Sequence, residues 1–445
     1  MVCKKPTPYS LLVTGTSLIA LLLGSAFPDT ALAAHDHHGA NAGSKTPRKA
    51  RSSVKHIVVV MMENRSFDHL LGWMPNADGN QNLAYPAEDG SMISTMPLAP
   101  DWQGCTHPDP DHSFDGARVE YDDGKMDGFL VAGANDEYAI GYYNEADRPF
   151  FNTFAQTFTT LDHFFAAHLG STYPNRIFQH AAQTDRIENT LDISTLPTIW
   201  DRLAEAGISN RYYFSDVPFL LLWGAKYAPI FATHEQFLVD AAAGKLPAVS
   251  FVEPRFLDEE SGTSGDDHPH ADIRTGDAFL AEAFSAVVHG PDWSNTVFIV
   301  TYDEWGGFFD HVAPPRVVAP NDVDPDVVDG KVLLGMRVPA VVASPFTRSA
   351  AGNPRVDSTV FDHTSVLKLI EWRWNLAPLT ARDASSDVGN LLTVLDFAHP
   401  DASVPSLPSP PAPPPSICES PIPTDDLPLS AILELLPLLG GQQAP

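Results

Sequence analysis

Cysteine and basic side chains are both scarce in this chain. Its 445 residues include 3 cysteines, and 27 lysines and arginines stand against 56 aspartates and glutamates, which gives a formal net charge of −29. A surface with this charge repels polyphosphate backbones and argues against nucleic acid as a partner. It also disfavours adsorption to anionic lipid, but it leaves transient contact with a neutral, zwitterionic membrane surface open.

The first 33 residues have the pattern of an export signal. Lys4 and Lys5 precede an apolar run over residues 11–27, and residues 31–33, Ala-Leu-Ala, resemble a signal cleavage site. We therefore expect cleavage after Ala33 and a secreted, extracytoplasmic protein. A retained membrane anchor is the alternative, although the apolar run is short for a full span.

The segments at the two ends of the mature chain have the composition of irregular structure. Residues 34–53 are rich in His, Gly, Ala and basic side chains and predict a disordered leader. Residues 396–445 form a proline-rich tail whose last apolar segment, 427–439, could be a short amphipathic helix. Cys105 and Cys418 would remain after cleavage, but their spacing alone does not decide whether they pair.

Residues 54–395 alternate strand-like and helix-like segments, which predicts an α/β domain. We expect a mostly parallel, doubly wound sheet flanked by helices. The predicted strands are 56–62, 248–254, 297–302 and 338–345, and the predicted helices are 177–182, 198–206, 272–288 and 365–374. The region 74–150 is heavy in Asp, Gly, Pro and aromatics and predicts an irregular insertion over the active site.

Polar side chains follow two of these predicted strands. Glu63 and Asn64 come after strand 56–62, and Asp303 and Glu304 come after strand 297–302, before a glycine pair. Ligands of an open parallel sheet bind beyond the carboxyl ends of its strands. Three carboxylates and an amide oxygen suit a hard or borderline divalent cation, so we predict one divalent metal ion of unknown identity.

A glycine-initiated turn carries two adjacent hydroxyls, Ser171 and Thr172, ahead of a helix-like segment. A hydroxyl at this place can become nucleophilic through metal coordination, and a helix N-terminus favours an incoming anion. Arg176 and its neighbour Asn175 are candidate substrate-binding residues. The alternative is that one of the hydroxyls simply caps the helix.

Four histidines lie in loops among acids and prolines, where imidazole can protonate a leaving alkoxide or bind a phosphoryl oxygen. His112, His268 and His311 are candidate catalytic residues, and His270 is a candidate substrate-binding residue. His363, at the start of a predicted helix, favours a structural role.

Several segments together resemble the phosphoesterase family of bacterial phospholipases C, plant non-specific phospholipases C and bacterial acid phosphatases. The segments are Glu63–His69, Gly170–Arg176, Asp267–Pro269 and Asp303–Val312. The resemblance covers roughly residues 54–395 and implies a fold of the alkaline phosphatase superfamily.

The resemblance also implies roles for individual residues. The metal ligands would be Glu63, Asn64, Asp303 and Glu304. The nucleophile would fall on Thr172 by position, but Ser171 stands where the family usually has proline, so either hydroxyl could attack. His268 would act as an acid or a phosphate ligand. His112 and His311 would hold phosphoryl oxygens or complete the site.

Three functions remain open at this point. The first is a secreted, metal-dependent phosphoric ester hydrolase of phospholipase C type that cleaves phospholipids through a phospho-threonine intermediate; residues 266–270 favour it. The second is an acid phosphatase that acts on phosphomonoesters with the same residues. The third is a non-catalytic exported binding protein, which would be expected to have lost a metal carboxylate or the hydroxyl. The oligomeric state is not predicted.

Overall fold

A computed structural model describes residues 48–418 and 427–439 of the chain. The expected signal peptide and most of the expected leader lie outside these residues. The end of the leader, Arg48–Ser53, forms helix α1, so the expectation of disorder is wrong there. The reason is a tertiary contact: the Arg51 guanidinium lies 5.7 Å from the centre of the Trp372 ring and donates a hydrogen bond to Asn375.

The core of the protein is an eight-stranded mixed sheet in the order β8-β2-β7-β6-β1-β5-β3-β4. Its strands are β1 (His56–Met62), β2 (Thr159–Leu161), β3 (Asn210–Phe214), β4 (Phe231–Thr233), β5 (Val249–Val252), β6 (Thr296–Tyr302), β7 (Ala340–Ala343) and β8 (Arg355–Asp357). Strand β7 runs antiparallel to β6 and β2, and all other neighbours are parallel. The predicted α/β class with a mostly parallel sheet is confirmed.

The remaining elements surround this sheet. The other helices are α2 (Phe67–Leu71), α3 (Phe114–Tyr121), α4 (Pro149–Thr157), α5 (Thr172–Ala181), α6 (Ile199–Glu205), α7 (His234–Ala242), α8 (Ile273–Val288), α9 (His363–Trp374) and α10 (Ala381–Ala384). Short 3₁₀ helices span Asp122–Gly124, Glu137–Ile140, Phe219–Ile230, Glu259–Ser261, Trp293–Asn295, Leu391–Val394 and Leu429–Leu439. Two-stranded ribbons pair Ala84–Pro86 with Met92–Ser94, Met96–Pro97 with Gly141–Tyr142, Phe164–Phe165 with Phe361–Asp362, and Arg316–Val318 with Lys331–Leu333.

The central strands β1 and β6 match their predicted positions because both are continuous apolar runs. All seven residues of β6 are buried, and so are six of the seven in β1. Strands buried on both faces show no alternation of polar and apolar residues. The four strands not predicted, β2, β3, β4 and β8, are short, and β8 lies half-buried at the edge of the sheet.

The insertion of residues 74–150 has short elements that pack around a small apolar core. Tyr85 and Phe129 pack there with Trp305 and Phe309, which follow β6. This shared core fixes the insertion beside the carboxyl end of β6, as the sequence predicts.

The tail returns to the body of the protein. A disulfide joins Cys105 in the insertion to Cys418, and residues 401–418 have neither helix nor strand. The predicted helical segment at the end of the chain is the 3₁₀ helix Leu429–Leu439, and its Leu429 and Ile432 are buried. None of the described helices is long and apolar enough to cross a membrane.

Helix α9 carries a carboxyl group that should make stability depend on pH. Burial, followed by a hydrogen bond with Asp383, raises the pKa of Glu371 to about 10. The unfolded chain releases this proton near its ordinary pKa of 4.5, so the free energy of unfolding falls as pH rises between these values.

We expect Glu371→Gln to raise the free energy of unfolding at pH 8 by on the order of 1 kcal/mol, because the amide keeps a donor for Asp383 without a charge. At pH 4 the variant and the parent should unfold alike. Chemical denaturation at both pH values measures the difference, with Glu205→Gln, whose side chain is 69% exposed, as the control. An equal shift at both pH values would contradict the assignment.

Candidate active site

The carboxyl ends of β1 and β6 bring the predicted acidic residues together. The two strands are parallel and in register up to Met62 and Tyr302, so the residues that follow are neighbours. The backbone N–H of Asn64 donates to Oδ1 of Asp303 over 3.1 Å. The side chain of Glu304 turns to the glycine pair, where its Oε2 accepts from the N–H of Gly306 over 2.6 Å.

The glycine pair after β6 is required by close backbone approach. Gly306 and Gly307 have φ of 64° and 69°, a region that other residues rarely adopt. A Cβ on Gly306 would lie 2.2 Å from the carbonyl oxygen of Asn64, and one on Gly307 would lie 2.6 Å from Cβ of Pro110. The glycine pair therefore allows the segment after β1 and the insertion to approach each other closely at the site.

Arg176 lies behind the acidic residues, and its predicted role in substrate binding is corrected. Its Nε donates to Glu63 over 3.0 Å and to Asp303 over 2.9 Å, and its Nη1 donates to Glu253 over 2.7 Å. The guanidinium is 1% exposed and its fork is filled by carboxylates. Arg176 therefore positions these carboxylates and does not face a ligand.

The charges in this cluster oppose the effect of burial. Burial lowers the pKa of Arg176, but Glu253, Glu63 and Asp303 outweigh that effect and hold the pKa well above its ordinary value. Burial raises the pKa of Glu63, and the Arg176 charge opposes the rise. The cluster is therefore a buried set in which one guanidinium pairs with three carboxyl groups.

Helix α5 begins at Thr172 and presents its N-terminus to the site. Ser171 is the N-cap residue, but its side chain makes no capping hydrogen bond. Among the described residues, the Thr172 hydroxyl also has no hydrogen-bond partner. The helix-cap alternative therefore has no support for either hydroxyl.

Asn175 shapes the turn before α5, so its predicted contact with substrate is also corrected. Its Nδ2 donates to the carbonyl oxygens of His168, Gly170 and Ser171, and its Oδ1 accepts the N–H of His168 over 2.9 Å. These backbone bonds occupy the whole carboxamide and hold the turn in place.

A small enclosed cavity of about 20 Å³ collects most of the predicted residues. It is lined by Glu63, His112, Thr172, Asn189, Glu259, His268, Pro269, His270, Leu427, Pro428 and Leu429. The hydroxyl of α5, a carboxylate from the end of β1 and histidines from two separate loops therefore share one space. A hydroxyl beside a carboxylate and imidazoles is a set of groups that nucleophilic catalysis can use.

The hydrogen bonds of two histidines fix their tautomers. Nδ1 of His112 lies 2.7 Å from the carbonyl of Pro110, and Nδ1 of His268 lies 3.0 Å from the carbonyl of Pro269. A carbonyl only accepts, so both Nδ1 atoms carry hydrogen and both Nε2 atoms accept. Burial lowers the pKa of His268 well below its ordinary value, so its ring is neutral.

His311 lies in a different cluster, so its predicted place in the catalytic site is corrected. Its ring nitrogens contact Asp68 over 2.5 Å and Asp78 over 3.3 Å. Arg337 joins the cluster through Asp68 and Asp310. These ion pairs hold the loop after β6, and His311 does not line the cavity with Thr172.

The donor set at the cavity fits a divalent cation. Nδ2 of Asn64 lies 3.3 Å from Nε2 of His112, which orients the amide; its buried Oδ1 has no hydrogen-bond partner among the described residues. Glu63, Glu259 and His268 also offer ligand atoms within 4.8 Å of one another. The described groups of three such ligands do not include Asp303 or Glu304.

The carboxylates near the site that were not predicted include Glu253 and Glu259. Glu253 directly follows strand β5, so the rule that singled out Glu63 and Asp303 could also have found it. Glu259, in the 3₁₀ helix Glu259–Ser261, has no comparable sequence signal, and it reaches the cavity only through the path of its loop.

Removal of the Arg176 guanidinium should destabilise the fold. In Arg176→Ala three buried carboxylates would lose their shared partner, and we expect the free energy of unfolding to drop by about 3 to 5 kcal/mol. Denaturation in the presence of a chelator measures this, with Arg274→Ala as the matched control. The Arg274 side chain is 42% exposed in its ion pair with Asp272, so that variant should lose about 1 kcal/mol or less. Equal losses would contradict the role given to Arg176.

Comparison with known proteins identifies the family of the chain. The model of the Phosphoesterase family matches residues 54–377. Non-specific phospholipase C6 of Arabidopsis thaliana is 32% identical over 377 residues, which are 75% of this chain and 71% of that protein. Phospholipase C A of Mycobacterium tuberculosis (strain ATCC 25618 / H37Rv) is 31% identical over 423 residues, with 79% of each chain covered.

The chain also aligns with solved structures at low identity. A protein of the alkaline phosphatase superfamily from Vibrio parahaemolyticus aligns with a TM-score of 0.38 at 12% identity, over 76% of this chain and 70% of that one. On the family match and the two relatives, the chain belongs to the Phosphoesterase family and is a phosphoric ester hydrolase.

Proposed function

We propose that the protein is an exported, metal-dependent hydrolase of phospholipase C type, with residues 54–395 as its catalytic domain and Thr172 as its nucleophile. The observation that carries the proposal is the position of Thr172. Its hydroxyl stands at the N-terminus of α5, has no hydrogen-bond partner among the described residues, and shares the cavity with Glu63 and three histidines. The N-terminus of a helix favours the negative charge of a phosphoryl group.

The chain's own residues can carry the proton through both steps. Neutral His268 accepts the Thr172 proton at Nε2 while the oxygen of Thr172 bonds to phosphorus. The bond from phosphorus to the alcohol breaks, and His268 returns the proton to the leaving alkoxide. Water then attacks the phospho-threonine, loses a proton to His268, and releases the phosphate product as Thr172 regains its proton.

Glu63 and Asn64, with Asp303 and Glu304 beside them, would hold the divalent cation. When bound there, such a cation would neutralise phosphoryl oxygens and lower the pKa of the Thr172 hydroxyl. Glu259 offers a further ligand atom on the same cavity. The unpartnered Oδ1 of Asn64 supports this assignment.

Two observations support the substrate and the location. The two relatives named above are both phospholipases C, and they match more than two thirds of this chain. A disulfide between Cys105 and Cys418 is typical of proteins that fold outside the cytoplasm, which agrees with the export signal in the sequence.

The nucleophile can be tested by two neighbouring substitutions. We expect Thr172→Ala to lower kcat by about 10⁴-fold or more while metal content and unfolding stay the same. Ser171→Ala is the matched control, because Ser171 makes no capping bond, and it should keep activity near that of the parent. Full activity in Thr172→Ala, or loss of activity in Ser171→Ala alone, would show that Thr172 is not the nucleophile.

The substrate class can be tested with purified protein that begins at Ala34. We expect it to release diacylglycerol and phosphocholine from phosphatidylcholine, with loss of at least about 100-fold in rate after chelation and recovery when a divalent cation is restored. Release of phosphate from p-nitrophenyl phosphate alone would identify a phosphatase. Inactivity on both substrates with metal present would favour a non-catalytic binding protein.

A further inference from the structure

We propose that residues 427–439 form a displaceable cover over the Thr172 cavity and that a zwitterionic phospholipid surface displaces it. The inference rests on the proposed function for the identity of the substrate. It starts from the walls of the cavity, which Leu427, Pro428 and Leu429 line together with Thr172 and Glu63. Pro428, which lies 255 residues after Tyr173 in the sequence, is therefore part of the site.

The cover separates the enclosed cavity from a more open one. Leu427, Pro428 and Asn189 also line an outer cavity of about 440 Å³, together with Ser171 and Glu188. The same three residues thus line both cavities. Displacement of residues 427–429 would join the two spaces.

Hydrogen bonds hold the cover against the start of α5. The hydroxyl of Tyr173 donates to the carbonyl of Pro428 over 2.8 Å, and Nδ2 of Asn189 donates to the carbonyl of Leu427 over 3.2 Å. Oδ1 of Asn189 accepts the N–H of Tyr173 over 2.7 Å. The cover is therefore attached beside the nucleophile itself, through two neutral bonds that can break and re-form.

The small size of the inner cavity supports such a movement. A cavity of about 20 Å³ has room for about one water molecule. Pockets that bind small molecules usually measure about 300 to 1,000 Å³. A phosphocholine headgroup cannot reach Thr172 while residues 427–429 stay in place, so the closed arrangement is an inactive one.

The composition of the cover identifies what displaces it. Residues 427–439 have one charged side chain, Glu434, and otherwise Leu, Ile, Pro, Ala and Ser. Leu429 and Ile432 are buried in the apolar core, and the helix packs on Phe219–Ile230. Exposure of these side chains to water is unfavourable, but insertion into lipid keeps them out of water. The net charge of −29 selects a zwitterionic surface over an anionic one.

The disulfide keeps the cover close to its site. Cys418 is bonded to Cys105, nine positions before Leu427 in the chain. A displaced cover therefore stays tethered to the insertion and can return when the protein leaves the lipid.

Activity on a soluble phosphodiester tests the cover without a lipid surface. On p-nitrophenyl phosphocholine we expect Ile432→Asp to raise kcat/KM by about tenfold and Tyr173→Phe by about threefold, because both raise the open fraction. Leu436→Asp is the control. Leu436 is 36% exposed, so this variant should match the parent on the soluble substrate but lose activity on phosphatidylcholine vesicles. Parental rates in Ile432→Asp and Tyr173→Phe, with the parent active, would overturn the cover and leave the proposed function intact.

Hydrogen exchange gives a measure that does not depend on turnover. In Thr172→Ala, phosphatidylcholine vesicles should speed exchange of the amides of residues 219–230 and of the first turn of α5, and Leu436→Asp in the same background should weaken this response. No change on vesicle addition would overturn the cover. If exchange is faster with vesicles but the parent protein hydrolyses neither p-nitrophenyl phosphocholine nor phosphatidylcholine, the cover is supported and the proposed function is overturned.

Discussion

The site depends on the ion pairs between Arg176 and the carboxylates at the ends of β1, β5 and β6. Three parallel strands bring Glu63, Glu253 and Asp303 to one edge of the sheet, where their mutual repulsion would be unfavourable without a cation. The guanidinium enters from α5, the same helix that begins with Thr172. One arginine thus fixes both the acidic residues and the position of Thr172 relative to them.

The sequence predicts the parts of this arrangement that depend on local pattern. Buried runs set β1 and β6, and the end of each run sets the position of Glu63 and Asp303. The helix after the hydroxyl turn is also a local property, although its start at Thr172 is earlier than the predicted segment 177–182. The resemblance to a family adds a prediction of which hydroxyl and which histidines take part in catalysis.

The corrected residues are those whose partners lie far away in the chain. Arg176 and Asn175 carry the charge and amide that substrates often meet, but carboxylates and backbone carbonyls occupy them here. His311 follows the correct strand, yet Asp68 and Asp78 draw its ring into another cluster. Residue type and spacing do not predict these contacts, because each contact depends on the path of a loop in the folded structure.

The tail shows the same limit and adds a physical consequence. Proline-rich composition predicts an extended chain, but it does not predict that Cys418 and Pro428 bring the chain end back to the site. Phosphoryl transfer at a buried cluster benefits from the exclusion of water, whereas a phospholipid needs an opening. A segment that is apolar enough to pack on the core and also to enter lipid can satisfy both needs, since the same side chains stay out of water in either position.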